Sequence, residues 1–425
     1  MCASNIAKQM KSILRSPEIL LIALASSLLL TNFMGNLSVI AVLIVTDLAI
    51  IKKIGVSVFT SKSLKLLTIY YFVVILYGIS GYGILSTGKY LPLVFSSIIM
   101  YSVYLISCYL EKLEYGQVKF LLLVSIADFS ICTGITYYIA TINPVAIRLC
   151  FGEVDASEAL EASVYRSMGI MSYSLAHSIS VISIGFMSLF CYAKNMQMRI
   201  FSIFIWFILI KLQFDMTITT SLLISIFCGI IVLINKYFHG KTFITLSVLA
   251  IVIIVILHSG ILIKILSYAE STNPQIYEKL NDAFSSYETG SSQGQMDYRE
   301  ELYSVSFYTF LSNPIFGLGV DNGSRTIIGE HSFLLDYLAY YGLFAFLYFG
   351  SWWVQYRKVV VNINKEYKTI FLYSFLPVCI LVSTKASSVC VMMPFASLVF
   401  LQMVFLYLNI PANYSGRYKN LSIQL

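Results

Sequence analysis

Apolar residues along the chain gather in blocks of about 20, the length that crosses a bilayer core, each closed off by polar residues. The blocks fall at about 19–31, 37–51, 66–84, 91–110, 119–142 and 171–192, then at about 200–214, 216–234, 242–262, 332–353, 369–384 and 387–409. The pattern predicts an all-α, polytopic integral membrane protein with about twelve transmembrane helices. The stretch 200–234 also fits one long helix, but Lys211, Gln213 and Asp215 in its middle favour a tight hairpin. Three polar groups in close succession are costly at mid-membrane. The N-terminus, with Lys8, Lys11 and Arg15 ahead of an apolar run, resembles a signal peptide. Because further spans follow at once, it reads as an uncleaved first helix.

Two polar stretches exceed connector length, 143–170 and 263–331. They divide the chain into nine helices over 1–262, a large loop over 263–331, and three helices with a tail over 332–425. The long loop is too extended to be structureless in a compact protein and reads as two short helices. Asn273-Pro274 begins the first, with proline at N1, and Ile276, Leu280, Ala283, Phe284 and Tyr287 share one face. After a Gly/Ser break at 290–294, Asp297 and Glu300 have capping-box spacing before Leu302, Val305 and Phe310. Asn313-Pro314, Gly317 and Gly319 then predict a turn back toward the membrane.

Composition supports this organisation. Of 425 residues, 58% are apolar and 12% charged, and the mean hydropathy is +0.81. Soluble domains carry about 25% charged residues, so a soluble enzyme, a nucleic-acid binder and a disordered scaffold are excluded. The formal charge of +7 mostly records topology. Only nine of the 28 basic residues fall on the side opposite the termini: Lys89, Arg148, Arg166, Lys211, Lys264, Lys279, Arg299, Arg325 and Lys385. The positive-inside rule therefore makes the termini cytoplasmic and both long loops external. Eight scattered cysteines without a C-x-x-C pair read as packing thiols, with neither a disulfide framework nor a zinc site.

The external loops hold the candidate chemistry. Arg299 is expected at the second or third position of its helix, where a cation opposes the helix dipole. An anion held between the guanidinium and the first-turn N–H groups would explain that placement. A pairing with Glu300, Glu301 or Tyr303 is the alternative. Arg166 lies in the first long loop, while Arg148 and Arg325 are further external arginines. His331 stands where the chain re-enters the membrane, with Glu330 and Asp336 as carboxylate neighbours. It fits a general base, a phosphate ligand, a proton carrier or a helix cap. His177 and His258 lie in spans and suit interhelical hydrogen bonds, and Asp47 and Asp128 are acids near helix ends. No metal-binding or nucleotide-binding motif stands out, so no cofactor is expected and any donor is delivered in the membrane.

The stretch 299–350 resembles the bacterial O-antigen polymerase and O-antigen ligase superfamily. Residues 299–319, R-E-E-L-Y-S-V-S-F-Y-T-F-L-S-N-P-I-F-G-L-G, look like the family's arginine helix followed by its N-P-x-x-G-x-G turn. Residues 330–345, E-H-S-F-L-L-D-Y-L-A-Y-Y-G-L-F-A, are similar to its pattern of His, Asn or Ser, nine residues, then Gly, with His331, Ser332 and Gly342 in those places. Ser332 stands where asparagine is more usual, and Ala345 replaces the common small or polar final residue. Both departures weaken a ligase more than a polymerase.

The resemblance implies a GT-C-like glycosyltransferase architecture in the bacterial cytoplasmic (inner) membrane. The implied activity joins undecaprenyl-diphosphate-linked oligosaccharides on its outer face, for O-antigen or capsule. It implies Arg299, Arg166 and His331 as catalytic residues, with Arg148 as the alternative second arginine. Arg325, Arg148, Glu330 and Asp336 would contact substrate. Partners would be the bilayer, the lipid-linked substrates, a chain-length regulator and a flippase, with no nucleic acid. A ligase moving finished polymer to lipid A core is the nearest alternative. A lipid-linked oligosaccharide flippase is another, although its polar groups should line the membrane interior.

Overall fold

The computed structural model describes residues 16–31, 36–55, 60–79, 90–142, 173–216, 219–238, 261–289, 295–318, 327–329, 331–361, 374–375, 377–381, 383–384 and 388–409, with single residues 58, 164 and 247. Among them the secondary structure is helical, with no strand. Among the described residues, eight helices precede the long loop: α1 (Pro17–Thr31), α2 (Asn36–Ile54), α3 (Lys62–Ile79), α4 (Tyr90–Leu110), α5 (Tyr115–Ile142), α6 (Tyr173–Tyr192), α7 (Met196–Asp215) and α8 (Thr219–Tyr237). The loop contributes α9 (Ile261–Thr272), α10 (Pro274–Thr289) and α11 (Gln295–Ser312). After it come α12 (Phe333–Tyr341), a 3-10 turn at Gly342–Phe344, α13 (Ala345–Val361) and α14 (Ser388–Asn409).

Among the described residues, four helical stretches have the length and composition to cross a membrane: Tyr115–Ile139, Met196–Asp215, Thr219–Tyr237 and Phe333–Arg357. Shorter apolar helices cover Pro17–Leu29, Ser97–Leu110, His177–Tyr192 and Ala396–Leu408. The chain is thus an all-helical protein with the apolar helices of a membrane-embedded one. The block at 242–262 falls almost wholly outside the described residues, as do most of 369–384 and, apart from Val164, the loop 143–170.

At the centre sits α6, which packs against α14, α8 and α7. Its isoleucines, valine and phenylalanine at 179, 181, 182, 184 and 186 are fully buried, and so are Ser178, Ser180, Ser183 and Ser188. A helix buried all round belongs in the core, and its small residues let neighbours approach closely. At Gly185 a Cβ would lie 2.7 Å from the Phe400 ring on α14. Polar links pin α6 to α8: His177 Nδ1 shares a hydrogen bond with Ser221 Oγ, Ser180 Oγ donates to the Ser221 carbonyl at 3.3 Å, and Asn235 Nδ2 donates to the Tyr192 hydroxyl at 3.2 Å. His177 therefore has the interhelical partner its position in a span calls for.

The hairpin anticipated inside 200–234 is present. Helix α7 ends at Asp215, Met216 caps it, and α8 starts at Thr219. Lys211 and Asp215 form an i,i+4 ion pair in the last turn of α7. Helix α10 docks on this hairpin. Ile276 is fully buried, packing with Leu222 and Ala269, and Leu280 lies against the same cluster. Asn273 accepts from the Ile276 N–H at 3.3 Å and donates to the Phe214 carbonyl at 2.9 Å, capping α10 while fastening it to the end of α7.

Candidate functional site

Helix α11 begins at Gln295, three residues ahead of the capping-box expectation. Asp297 is therefore an acid within the first turn, where it complements the helix dipole, and does not occupy the cap. Arg299 becomes the fifth helical residue and lies beyond the first-turn N–H groups. The anion-bridging argument for its placement loses its geometric basis; the residue is half-buried, and its charge acts on Tyr303 one turn along.

One stripe of α11 is turned toward the rest of the protein. Leu302 and Ser306 are buried, and Tyr303 and Thr309 are half-buried. Ser306 Oγ donates to Asp336 Oδ1 on α12 at 2.6 Å and accepts the Gly329 N–H at 2.9 Å. Asp336 Oδ2 accepts the Ser332 N–H at 3.2 Å. Ser332 is the N-cap of α12, its Oγ accepting from Leu335 N at 3.3 Å. Thr309 Oγ1 donates to the Ile327 carbonyl at 2.5 Å. At Gly329 a Cβ would lie 2.1 Å from the Leu302 carbonyl oxygen, so the returning strand of loop presses directly on α11. Asp336 is 6% exposed, and these bonds join three chain segments through its carboxylate.

His331 precedes the capping serine and is half-buried, its ring edge-on to Tyr298 at 6.2 Å between centroids. Tyr298 precedes Arg299 on α11, so His331 lies against the N-terminal half of that helix. Between α11 and α12, burial pushes the Tyr303 phenol above its usual pKa; Arg299 opposes that rise and Asp336 adds to it. The phenol donates to the Thr384 carbonyl at 3.3 Å, bringing a fourth segment to the same place.

A second junction lies further along the same pair of helices. Gly317 (φ +68°) and Gly342 (φ +56°) both adopt left-handed backbone, which glycine accepts without strain. A Cβ on Gly317 would lie 2.4 Å from the Tyr340 carbonyl oxygen, and one on Gly342 would lie 2.4 Å from that of Ile315. Backbone bonds run from Leu318 N to Ala339 O at 2.9 Å and from Leu343 N to Pro314 O at 2.9 Å. The turn after Asn313-Pro314 and the turn at Gly342 are thus interlocked, backbone against backbone.

Of the residues singled out in the sequence, Arg299, His331 and Asp336 come together here. Arg166, Arg148, Arg325 and Glu330 lie outside the described residues, as does His258. Asp47 is elsewhere, accepting from Ser102 Oγ at 2.7 Å between α2 and α4. Among the described residues no group of three or more His, Cys, Asp or Glu is placed to hold a metal ion. Sequence reasoning named Tyr303 only as a possible partner of Arg299 and passed over Tyr298, Ser306 and Gly329. The one signal for Ser306 is the three- and four-residue spacing of Arg299, Leu302 or Tyr303, Ser306 and Thr309 along a single helical face.

Compared with known proteins, the chain matches no family model and no curated sequence.

Proposed function

We propose that the protein is a polysaccharide polymerase that joins lipid-diphosphate-linked oligosaccharide repeats at the outer face of the bacterial cytoplasmic membrane, on a GT-C-like fold of about twelve spans. The observation that carries this reading is the Ser306–Asp336–Ser332 junction between α11 and α12, with His331 next to its capping serine and Arg299 close enough to act on Tyr303, which Asp336 also influences.

In this reading a hydroxyl of one lipid-linked repeat attacks the anomeric carbon of another. The new glycosidic C–O bond forms as the bond from that carbon to the diphosphate oxygen breaks. Lipid diphosphate leaves with the electron pair, and His331 takes the hydroxyl proton. Arg299, with Arg166 or Arg148, binds the diphosphate as its charge develops, the stage at which fixed cationic donors lower a barrier most. Asp336 serves as a positioning residue, because its carboxylate already bonds the protein on both oxygens.

The test is to incubate the purified protein with lipid-linked repeat units, without nucleotide or added metal, and resolve the products. A ladder of oligomers is expected, with Arg299→Ala and His331→Ala each slowing its growth by about 10²–10³, the usual effect of removing one positioned donor or one general base. Transfer of glycan only to a lipid A core acceptor would replace the polymerase with a ligase. Unchanged polymer with Arg299→Ala would remove the residue assignment.

A further inference from the structure

Helices α6, α7 and α8 hold a fixed register. On α6 and α8, which run parallel, His177 meets Ser221 and Tyr192 meets Asn235. Helix α7 runs the other way and crosses α8 closely, since a Cβ on Gly229 would lie 2.8 Å from the Trp206 indole. Ile200 and Asn235 each stand six residues from that crossing, about 9 Å along their axes. Asn235 is therefore level with the part of α7 between Arg199 and Ser202, beside the last turn of α6. Further contacts agree with this placement. Arg199 Nη2 donates to the Cys191 carbonyl at 3.0 Å, and Arg199 and Lys236 both act electrostatically on the Cys191 thiol.

Three buried polar atoms at this level have no hydrogen-bond partner among the described residues: Arg199 Nε, Ser202 Oγ and Asn235 Oδ1. Ser202 and Asn235 are fully buried. Other buried serines nearby satisfy themselves on their own helix. Ser183 donates to the Ser180 carbonyl at 3.0 Å and Ser188 to the Ile184 carbonyl at 2.7 Å. Ser202 does neither. The amide of Asn235 is committed through Nδ2 to the Tyr192 hydroxyl, and Lys236 Nζ covers the Tyr192 ring at 4.5 Å from its centroid. Leaving three such atoms unpaired in one layer is costly, because each gives up its bond to solvent on folding.

The mixture of groups selects a ligand. Arg199 Nε donates, Asn235 Oδ1 accepts, and the Ser202 hydroxyl does either. An anion would suit the guanidinium and be repelled by the amide oxygen; a metal cation would reverse both preferences. Water accepts and donates at once, and an internal water typically makes about three hydrogen bonds. We propose that a buried water is bound between α7 and α8 beside the end of α6, accepting from Arg199 Nε, donating to Asn235 Oδ1 and sharing its third hydrogen bond with Ser202 Oγ. It ties α7 to α8 as Arg199 ties α7 to α6. This inference stands apart from the proposed reaction and holds for any activity of the protein.

X-ray footprinting of the unaltered, detergent-solubilised protein tests it, because radicals formed from a bound water oxidise the side chains beside it, however buried. Tyr192 should be oxidised several-fold faster than Tyr356, another buried tyrosine, whose hydroxyl is already bonded to Ser374 at 2.9 Å. When water labelled with oxygen-18 is mixed in just before exposure, label should enter Tyr192 later than the exposed Tyr237. Equal oxidation of Tyr192 and Tyr356 would overturn the proposal, and so would immediate entry of label at Tyr192. Stability supplies a second reading, of opposite sign in the two cases. With water bound, Ser202→Ala removes a satisfied hydroxyl, and the thermal midpoint should fall. An unpaired hydroxyl would instead be better lost, so an unchanged or higher midpoint refutes the water.

Discussion

Asp336 concentrates several dependencies in one buried carboxylate. Removing its donor strands more than one group. Ser306→Ala leaves the Gly329 N–H without its acceptor and Asp336 Oδ1 without its hydroxyl. A buried group deprived of its partner costs about 1–3 kcal/mol. The thermal midpoint of the detergent-solubilised protein should therefore fall for Ser306→Ala, with a surface change such as Glu301→Gln as the unaffected reference. Tyr303 carries a pH signature. Its pKa is raised, chiefly by burial, so the folded chain holds the phenolic proton more tightly than the unfolded one. Its contribution to stability is fully present below the ordinary tyrosine pKa of about 10 and disappears as pH climbs through the raised value. Difference absorbance between the protein and Tyr303→Phe should show no phenolate from this residue until the pH exceeds the normal tyrosine range.

Among the elements, the interlocked glycine turns allow the sharpest prediction. Gly342→Ala places a Cβ against the Ile315 and Pro314 carbonyls in a left-handed backbone conformation. The strain alone costs about 1–3 kcal/mol, and the clash is with backbone that cannot rotate aside. The yield of monodisperse protein in size-exclusion chromatography should drop sharply, whereas Gly350→Ala, whose added Cβ meets its nearest neighbour, Leu66, at an ordinary 3.7 Å, should behave as the parent does. Asn273→Ala is milder. It removes an N-cap, worth about 0.5–2 kcal/mol, together with the link to Phe214, and proteolysis should cut the 274–289 region faster. Both sites also show what a sequence conveys about local structure. Asn273-Pro274 and the break before α8 were legible because caps and polar interruptions act over a few neighbouring residues. The true start of α11 was not, because Gln295 and Met296 carry no stop signal and the helix runs through them. Ser306 and Gly329 were invisible for another reason: each matters through a partner brought near by a turn, and nothing in a serine's own surroundings announces a carboxylate thirty positions on.

Across the whole molecule, α6 serves as the axle. Its close approach to α14 depends on Gly185, and Gly185→Leu should push Phe400 outward at an overpacking cost of about 1–3 kcal/mol. Loss of thermal stability without change in helical circular dichroism would mark a packing defect of that kind. The helical, membrane-embedded character was readable from hydropathy alone. The polar seam of His177, Ser221, Asn235 and Tyr192 between α6 and α8 was only half readable, since the histidine hinted at a partner and its neighbours did not.

The paired fastening of α11 to the α12–α13 stretch has a mechanical consequence. One bolt lies at Ser306 and Asp336, the other at the Gly317–Gly342 turns, about 9 Å apart along α12. Two bolts define a rigid bracket where one would define a hinge. When the bilayer thins, thickens or tilts the span, Arg299 and His331 should ride together as one piece of hardware, their spacing unaltered by the membrane that carries them.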